Sequence, residues 1–406
     1  MKQYCPISIC TAALLLFAVP SGSGVAQQPK YGPGAHDTEI KIGNIMPYSG
    51  HASAYGLVGR TEAAYFQKIN DEGGINGRKI TFLSYDDAYS PPKTVEQARK
   101  LVESDEVLFL FSPLGTPTNA AIHKYMNAKK VPHLFVASNA AKFGDPKNFP
   151  WTMGLQPTYQ GEGQIYAKYL LKEKSDAKIA ILYQNDDFGK DYLKGLKDGL
   201  GERSAMIIAE ESYETTEPTI ESRISKFKAT GADVFICFGT PKFVAQSIKK
   251  IGELGWKPLI FVPGVSSSIT SVLKPAGLDN AQGTLSATFV KDPDDPAWGN
   301  DPAMKNYVAF LEKYLPGANK SDNFHLLGYV MAQAVVQVLR QCGNELTREN
   351  IMAQAANLKN IQVDGMLPGI AINTTPTDFF PIKEMQMMRF SGESWRPFGQ
   401  VISSHP

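Results

Sequence analysis

Cysteine is nearly missing from this chain, with four in 406 residues, and two of those, Cys5 and Cys10, stand within its first ten positions. The other two, Cys237 and Cys342, are isolated, so no CxxC pair is available to hold zinc or to run dithiol exchange. A bridge between them is open in an oxidising compartment. The apolar run Val234-Phe235-Ile236-Cys237-Phe238 favours a buried free thiol instead. Histidine is also scarce, at six. With no HExxH and no histidine cluster, neither a metal nor any other cofactor is expected. Neither sign of charge is in excess, at 41 Lys+Arg against 40 Asp+Glu. Neutrality argues against nucleic acid or an anionic membrane as the main partner. No apolar run after residue 19 is long enough to span a bilayer. A GxSxG nucleophile elbow is missing too, because Gly264-Val265-Ser266 lacks the closing glycine in register.

The N-terminus carries a recognisable address. Lys2 precedes an apolar run over 7–19, followed by Ser21-Gly22-Ser23-Gly24-Val25-Ala26. That order of charge, short apolar core and small residues predicts a signal peptide over 1–26 and export to the periplasm. Neither Cys5 nor Cys10 follows a completed apolar run, so a lipid anchor is not expected. Removing 1–26 takes away one base and no acid, and 41 − 1 leaves 40 bases against 40 acids.

The chain is organised around 40–56. Ile40 to Ile45 alternate as a strand, Pro47, Ser49 and Gly50 break it, and a helical pattern starts after Gly56. Such a unit leaves free backbone amides facing a crevice. It lacks the GxGxxG of a dinucleotide fold and the GK[ST] of a P-loop. The same rhythm recurs. Strands are expected at 79–87, 107–111 and 131–136, with Pro91 and Pro92 opening a helix between the first two. A second series brings strands at 179–183, near 206–209, at 234–238 and at 259–262, each followed by a polar turn and a helix. Helices then dominate 301–358, and short extended pieces occupy 366–390. Alternating βα units predict an α/β protein of two doubly wound lobes with parallel central sheets.

A ligand of such lobes belongs at the carboxyl ends of the strands. The turns there are His51 to Tyr55, Gly115 to Thr118, Ser138 to Ala140, Phe188 with Gly189, Thr240, and Gly264 to Ser267. Two acidic runs have plainer explanations. Asp86 and Asp87 suit turn hydrogen bonds better than acid–base chemistry, since no base, orienter and nucleophile accompany them. Asn185-Asp186-Asp187 lacks the glycine and closing glutamate of a calcium loop and reads as a helix N-terminus.

These pieces resemble a known family: the exported type I solute-binding proteins of ABC importers, of the leucine/isoleucine/valine-binding class. The loop Gly50 to Gly56, Asn70-Asp71-Glu72-Gly73-Gly74-Ile75-Asn76-Gly77, Tyr85-Asp86-Asp87 and Phe188-Gly189 carry the resemblance through their order and spacing. It implies two lobes joined by three hinge crossovers, closing on a small molecule and delivering it to an inner-membrane permease. The expected lobes are 37–156 with about 286–363, and about 157–285 with 364–406. No helix-turn-helix segment precedes the first strand, which removes the repressor relatives. A monomer that is not an enzyme is expected, with a ligand sensor as an alternative use of the same clamp.

Carried over by position, the resemblance offers Gly115 and Thr116 to a ligand carboxylate, with Ser138, Asn139 and Ala140 adding amides and a hydroxyl. It also brings Phe188 and Thr240 to the second wall. Read from the residues themselves, Tyr55 and Tyr159 add flat apolar area to the cleft, and His51 in the same loop as Tyr55 either touches ligand or stands at the rim. Amino-acid binders place an acid in the turn where this chain has Gly264-Val265-Ser266-Ser267-Ser268. An unpaired buried ammonium loses on the order of 3–5 kcal/mol. The expectation is therefore an aromatic or other carboxylic acid lacking an amine, with a branched-chain amino acid or an amide as the alternative.

Overall fold

The computed structural model describes residues 1–4 and 28–404, so most of the expected signal peptide, with Cys5 and Cys10, lies outside the described residues. The first lobe is built on β1 (Glu39–Met46). Its side chains alternate between two cores. Ile40, Ile42 and Met46 enter one and Ile45 the other, as the two-residue period of a strand requires. Helix α1 (Gly56–Asp71) buries Val58, Phe66 and Ile69 and gives way to a turn with Gly73 and Gly74 at positive φ. Then come β2 (Lys79–Asp86), α2 (Pro91–Arg99) with its prolines in the first turn, β3 (Phe109–Phe111), α3 (Thr116–Ala128), β4 (His133–Val136) and β5 (Thr152–Gly154). The sheet order is β2-β1-β3-β4-β5, parallel throughout.

The second lobe repeats the plan. Helix α4 (Tyr159–Glu173), β6 (Ile179–Gln184), α5 (Asp187–Leu200), β7 (Ile207–Tyr213), α6 (Glu221–Ala229), β8 (Val234–Phe238), α7 (Pro241–Glu253), β9 (Leu259–Phe261) and β10 (Leu285–Thr288) follow in turn. Their parallel order is β7-β6-β8-β9-β10. Alternation on β6 and β8 again feeds two cores: Ile179, Ile181, Val234 and Ile236 on one face, Ala180, Leu182, Phe235 and Cys237 on the other. Helices therefore cover both faces of both sheets.

The chain then returns to the first lobe as α8 (Pro302–Tyr314), α9 (Asn323–Cys342) and α10 (Arg348–Ala355). Helix α9 packs Leu326, Val330 and Val335 into the same core as Val58 and Phe66 of α1. The chain finally enters the second sheet as β11 (Glu384–Ser391) and β12 (Ser394–Ser403), an antiparallel pair added beside β10. The sequence reading placed that return at about 364. Met366, Leu367, Ile370, Ile372, Phe379 and Ile382 instead remain in the first-lobe core, in one cluster with Leu326 and Val330 of α9.

Smaller differences have local causes. The strand expected at 131–136 pairs only over His133–Val136, because Pro132 has no N–H to donate. The strand expected near 206–209 runs to Tyr213. Its exposed Glu210 and half-exposed Glu211 and Ser212 suit an edge strand but carry little apolar signal. Cys237 and Cys342 are both buried and free. Asp86 accepts hydrogen bonds from the Tyr48, Ser49 and Ala88 amides at 2.9–3.1 Å, and Asp186 caps α5 through Phe188 and Gly189. Both acidic runs are turn and cap chemistry.

Candidate functional site

The five parallel strands of each sheet have the same order, and both sets reverse winding direction at one place: between β1 and β3, and between β6 and β8. Ligands of open α/β sheets bind outside the carboxyl ends of the strands at such switch points. The chain segments leaving these four strands meet here. Tyr55, Leu114 and Gly115 from the first lobe and Phe188 and Thr240 from the second line a single cavity of about 30 Å³, joined by Tyr89, Ala137, Gln156, Tyr159, Val265 and Leu327. A second cavity of about 40 Å³ shares Gln156, Val265 and Leu327 with it and continues to Asn139, Glu162, Gly264, Asn323 and Phe324. Together they have room for a few waters, far less than a small organic solute needs. In this conformation the cleft is closed over its own side chains.

Backbone geometry shapes the first cavity. Gly115 has φ of 106°, and a Cβ there would lie 2.5 Å from the Thr118 hydroxyl and 2.6 Å from the Tyr89 ring. Only glycine fits, and it lets α3 begin hard against the cavity. Ala88 and Tyr89 also have positive φ, and the Asp87 carboxylate holds the turn by accepting from the Tyr89 amide at 2.8 Å. Such strain in bulky residues persists where surrounding structure fixes it, commonly at binding sites. The Tyr55 hydroxyl reaches across the cleft to Ser266 at 3.3 Å, while its ring packs on Phe324 at 5.0 Å.

One polar corner collects several expected residues. Thr116 and Ser138 share a hydrogen bond of 2.7 Å, and the Ser138 hydroxyl accepts from the Ala140 amide at 3.4 Å. The Tyr159 hydroxyl faces this corner. Burial pushes its pKa up to about 12, opposed by the Asn139 backbone and the Ser138 and Thr116 hydroxyls. Tyr159 stacks on Tyr192 at 4.7 Å and meets Phe188 edge-on at 5.0 Å. Among the described residues the Thr240 hydroxyl, buried in the cavity wall, has no hydrogen-bond partner.

Of the eleven residues expected at the site, Tyr55, Gly115, Tyr159, Phe188 and Thr240 line the first cavity, and Asn139 and Gly264 the second. Thr116, Ser138 and Ala140 stand behind the wall at the polar corner. His51 lies outside both cavities. Its ring meets Tyr89 edge-on at 5.3 Å, and burial, with Lys242 opposite, lowers its pKa.

The sequence reading missed Glu162, and it corrects one premise. The turn at Gly264 contains no acid of its own, yet an acid does reach it. The Glu162 carboxylate, 1% exposed, accepts from the Gly264 amide at 2.7 Å, from the Tyr192 hydroxyl at 2.6 Å, and from the Tyr166 hydroxyl. Burial raises its pKa to about 7 against these three hydrogen bonds. Glycine is required at 264 by the neighbouring strand, since a Cβ there would lie 2.6 Å from the Ala287 carbonyl oxygen. The available signal was one helical turn: Glu162 follows Tyr159 by three residues and shares its face. Gln156, Phe324 and Leu327 were also missed, the last two because an i, i+3 apolar pair reads as ordinary core.

A family model described as periplasmic binding protein matches residues 39–394. Leu/Ile/Val-binding protein homolog 7 of Brucella suis biovar 1 (strain 1330) is 22% identical over 352 residues, covering 82% of this chain and 82% of that protein. Among solved structures, a branched chain amino acid ABC transporter from Thermus thermophilus with bound valine superposes with a TM-score of 0.83 at 16% identity. That match covers 91% of this chain and 98% of the other. A fatty acid ABC transporter substrate-binding protein from Thermomonospora curvata gives a TM-score of 0.78 at 21% identity, covering 93% and 95%. These neighbours share the fold while one holds valine and the other is named for fatty acids, so the fold alone does not choose the ligand.

Proposed function

The chain belongs to the periplasmic binding protein family, and from that premise we propose that it is the extracytoplasmic substrate-binding component of an ABC importer. It captures one small organic solute between its lobes and presents it to an inner-membrane permease. The observation that carries this reading is the cleft at both switch points, walled by side chains from both lobes and closed over them in this conformation. Opening and closing supply the transport logic: a solute held by both walls favours the closed form by its differential affinity. The 1–26 leader supports a periplasmic location, and among the described residues no helix is long and apolar enough to cross a membrane. The protein acts as a monomer and binds its solute without altering it.

Two finer readings concern the solute. The Thr116 hydroxyl, at the start of α3, and the Ser138 hydroxyl bond each other behind the wall in the closed form. Once the cleft opens they become neutral donors, a setting that suits a carboxylate without lysine or arginine. Tyr55, Phe188 and Tyr159 add flat apolar walls. These features support a carboxylic acid, aromatic or aliphatic. The further requirement that it lack an amine rested on the missing acid at Gly264, and Glu162 removes that ground. An amino acid or amide therefore regains its place.

A thermal-shift screen of the mature protein against amino acids, aromatic acids, aliphatic acids, amines and amides tests the function. A specific solute at a hundredfold excess over Kd stabilises the fold by about 2.7 kcal/mol. The expected result is a rise in melting temperature with one chemical class and recovery of that solute unchanged. A solute steadily converted by the repurified protein, with loss on a cleft substitution, would make it an enzyme.

A further inference from the structure

We propose that a groove on the outside of the second lobe, between α4 and the β11–β12 pair, binds an amphiphilic carboxylate: one hydrocarbon chain ending in an acid. The groove shares no lining residue with either cleft cavity. The proposal therefore goes beyond the binding-protein reading and does not rest on it.

Strand alternation builds the groove. Met385, Met387, Phe398 and Ile402 join the core beneath α4, while Met388, Phe390 and Trp395 enter the opposite one. Helix α4 covers this face only in part, so Phe398, Ile402 and the Tyr169 ring stay half-buried. Tyr169 meets Phe398 edge-on at 5.9 Å, and with Met387 and Ile402 they make an apolar floor. The space above it is about 480 Å³, the size of a small-molecule site.

The same face turns basic at one end. Its successive cross-strand pairs are Met385–Ile402, Met387–Phe398 and Arg389–Arg396. Like charges directly opposite each other repel. Asp295 pairs with Arg396, whereas Arg389 has no acid partner among the described residues. The Arg389 guanidinium instead lies over the Phe398 ring at 5.5 Å and donates to the Tyr169 hydroxyl at 3.1 Å. That hydroxyl donates to nothing among the described residues. Lys168 and Lys172, one turn apart on α4, face the groove with a single acid, Glu173, which pairs with Lys172 at 3.0 Å. A carboxylate here would accept a charge-assisted bond from Arg389 and a second from Tyr169. Its chain would lie along Phe398, Met387 and Ile402.

The strand edge argues against a peptide as the occupant. Pro397 has no N–H, and Asp292 already accepts from the Trp395 amide at 2.6 Å. Between the pairs Met385–Ile402 and Met387–Phe398, residues 399–401 bulge out opposite Gln386, which blunts the edge against strand addition. A bilayer needs protruding apolar side chains, and this floor is concave.

The test adds octanoate, octanol and octylamine to the mature protein with isotope-labelled methionine methyls. Met387 lines the groove and Met385 the second cleft cavity, so their signals report the two places separately by NMR. Octanoate should shift Met387 and not Met385, binding about tenfold tighter than octanol, with octylamine weakest. Decanoate should bind about fourfold tighter than octanoate, the gain for two methylenes covered on one side. Added salt should weaken octanoate and spare octanol. Arg389→Gln combined with Lys168→Gln should cost octanoate about tenfold and leave octanol unchanged. The head-group and salt series on the wild type stand if that variant fails to fold. Equal affinity for octanoate and octanol, or a Met387 signal that does not move, overturns the assignment. A shift of Met385 alone puts the acid in the cleft and overturns it too. Met387 responding only to protein concentration, or only to vesicles of anionic phospholipid, gives the groove to a second copy or a bilayer and likewise overturns it.

Discussion

Removing the Asp322 side chain should open the clamp. Asp322 sits at the N-terminus of α9 in the first lobe, 1% exposed, and its two carboxylate oxygens accept from Ser268 at 3.0 Å and Ser271 at 2.6 Å in the second lobe. Asn323 to Ser267 at 3.1 Å and Asn319 to Thr270 at 3.0 Å flank them. A hydrogen bond to a charged group contributes about 1.5–3 kcal/mol. Two of them at the low end give about 3 kcal/mol, roughly a hundredfold in the ratio of closed to open forms. Asp322 also caps α9 through the Phe324 amide at 3.1 Å, but that bond lies within one lobe and costs both forms alike. Asp322→Ala should therefore show a larger radius of gyration by small-angle scattering, with a loss of about 1 kcal/mol in stability from the cap. The pair Ser268→Ala and Ser271→Ala should open the clamp while sparing the cap. An unchanged radius in both variants would refute the latch.

Three further outcomes follow from buried groups. Burial raises the Glu62 pKa well above its usual value, opposed by the Ser112 hydroxyl. The folded state thus keeps a proton that the unfolded chain has lost, and stability falls as pH rises above about 4.5. Glu62→Gln should melt higher than wild type at pH 8 by a margin that vanishes near pH 4, and a constant margin would contradict this. His51→Ala should leave solute affinity within about threefold by calorimetry, because His51 packs on Tyr89 outside both cavities; a larger loss would bring it into the site. Thiol titration of the mature protein should find both cysteines unreactive when folded and reactive when denatured, because burial pushes both up to about 12.

Much of the architecture was legible because parallel strands buried on both faces are apolar without interruption, as at Val234–Phe238. Pro91, Pro92 and the glycines after α1 marked helix ends directly. The turns after the strands also named seven cavity residues, since a doubly wound sheet sends those turns to one edge. Three things were not legible. Residues 366–382 pack in the first lobe without regular pairing, so no periodicity reports their side. Glu162 reaches Gly264 across 102 positions, and nothing local marks a helical glutamate as aimed inward. Tyr89 owes its place to positive φ at Ala88 and Tyr89, a conformation that their residue types disfavour.

The most direct test of the central claim is a crystal structure of the mature protein with the strongest solute from the thermal-shift screen. The account predicts lobes closed around one solute that parts the side chains of Tyr55, Tyr159, Phe188 and Thr240. Solute bound only on the outer surface of either lobe, or within the cleft of a molecule whose lobes stay apart, would contradict it.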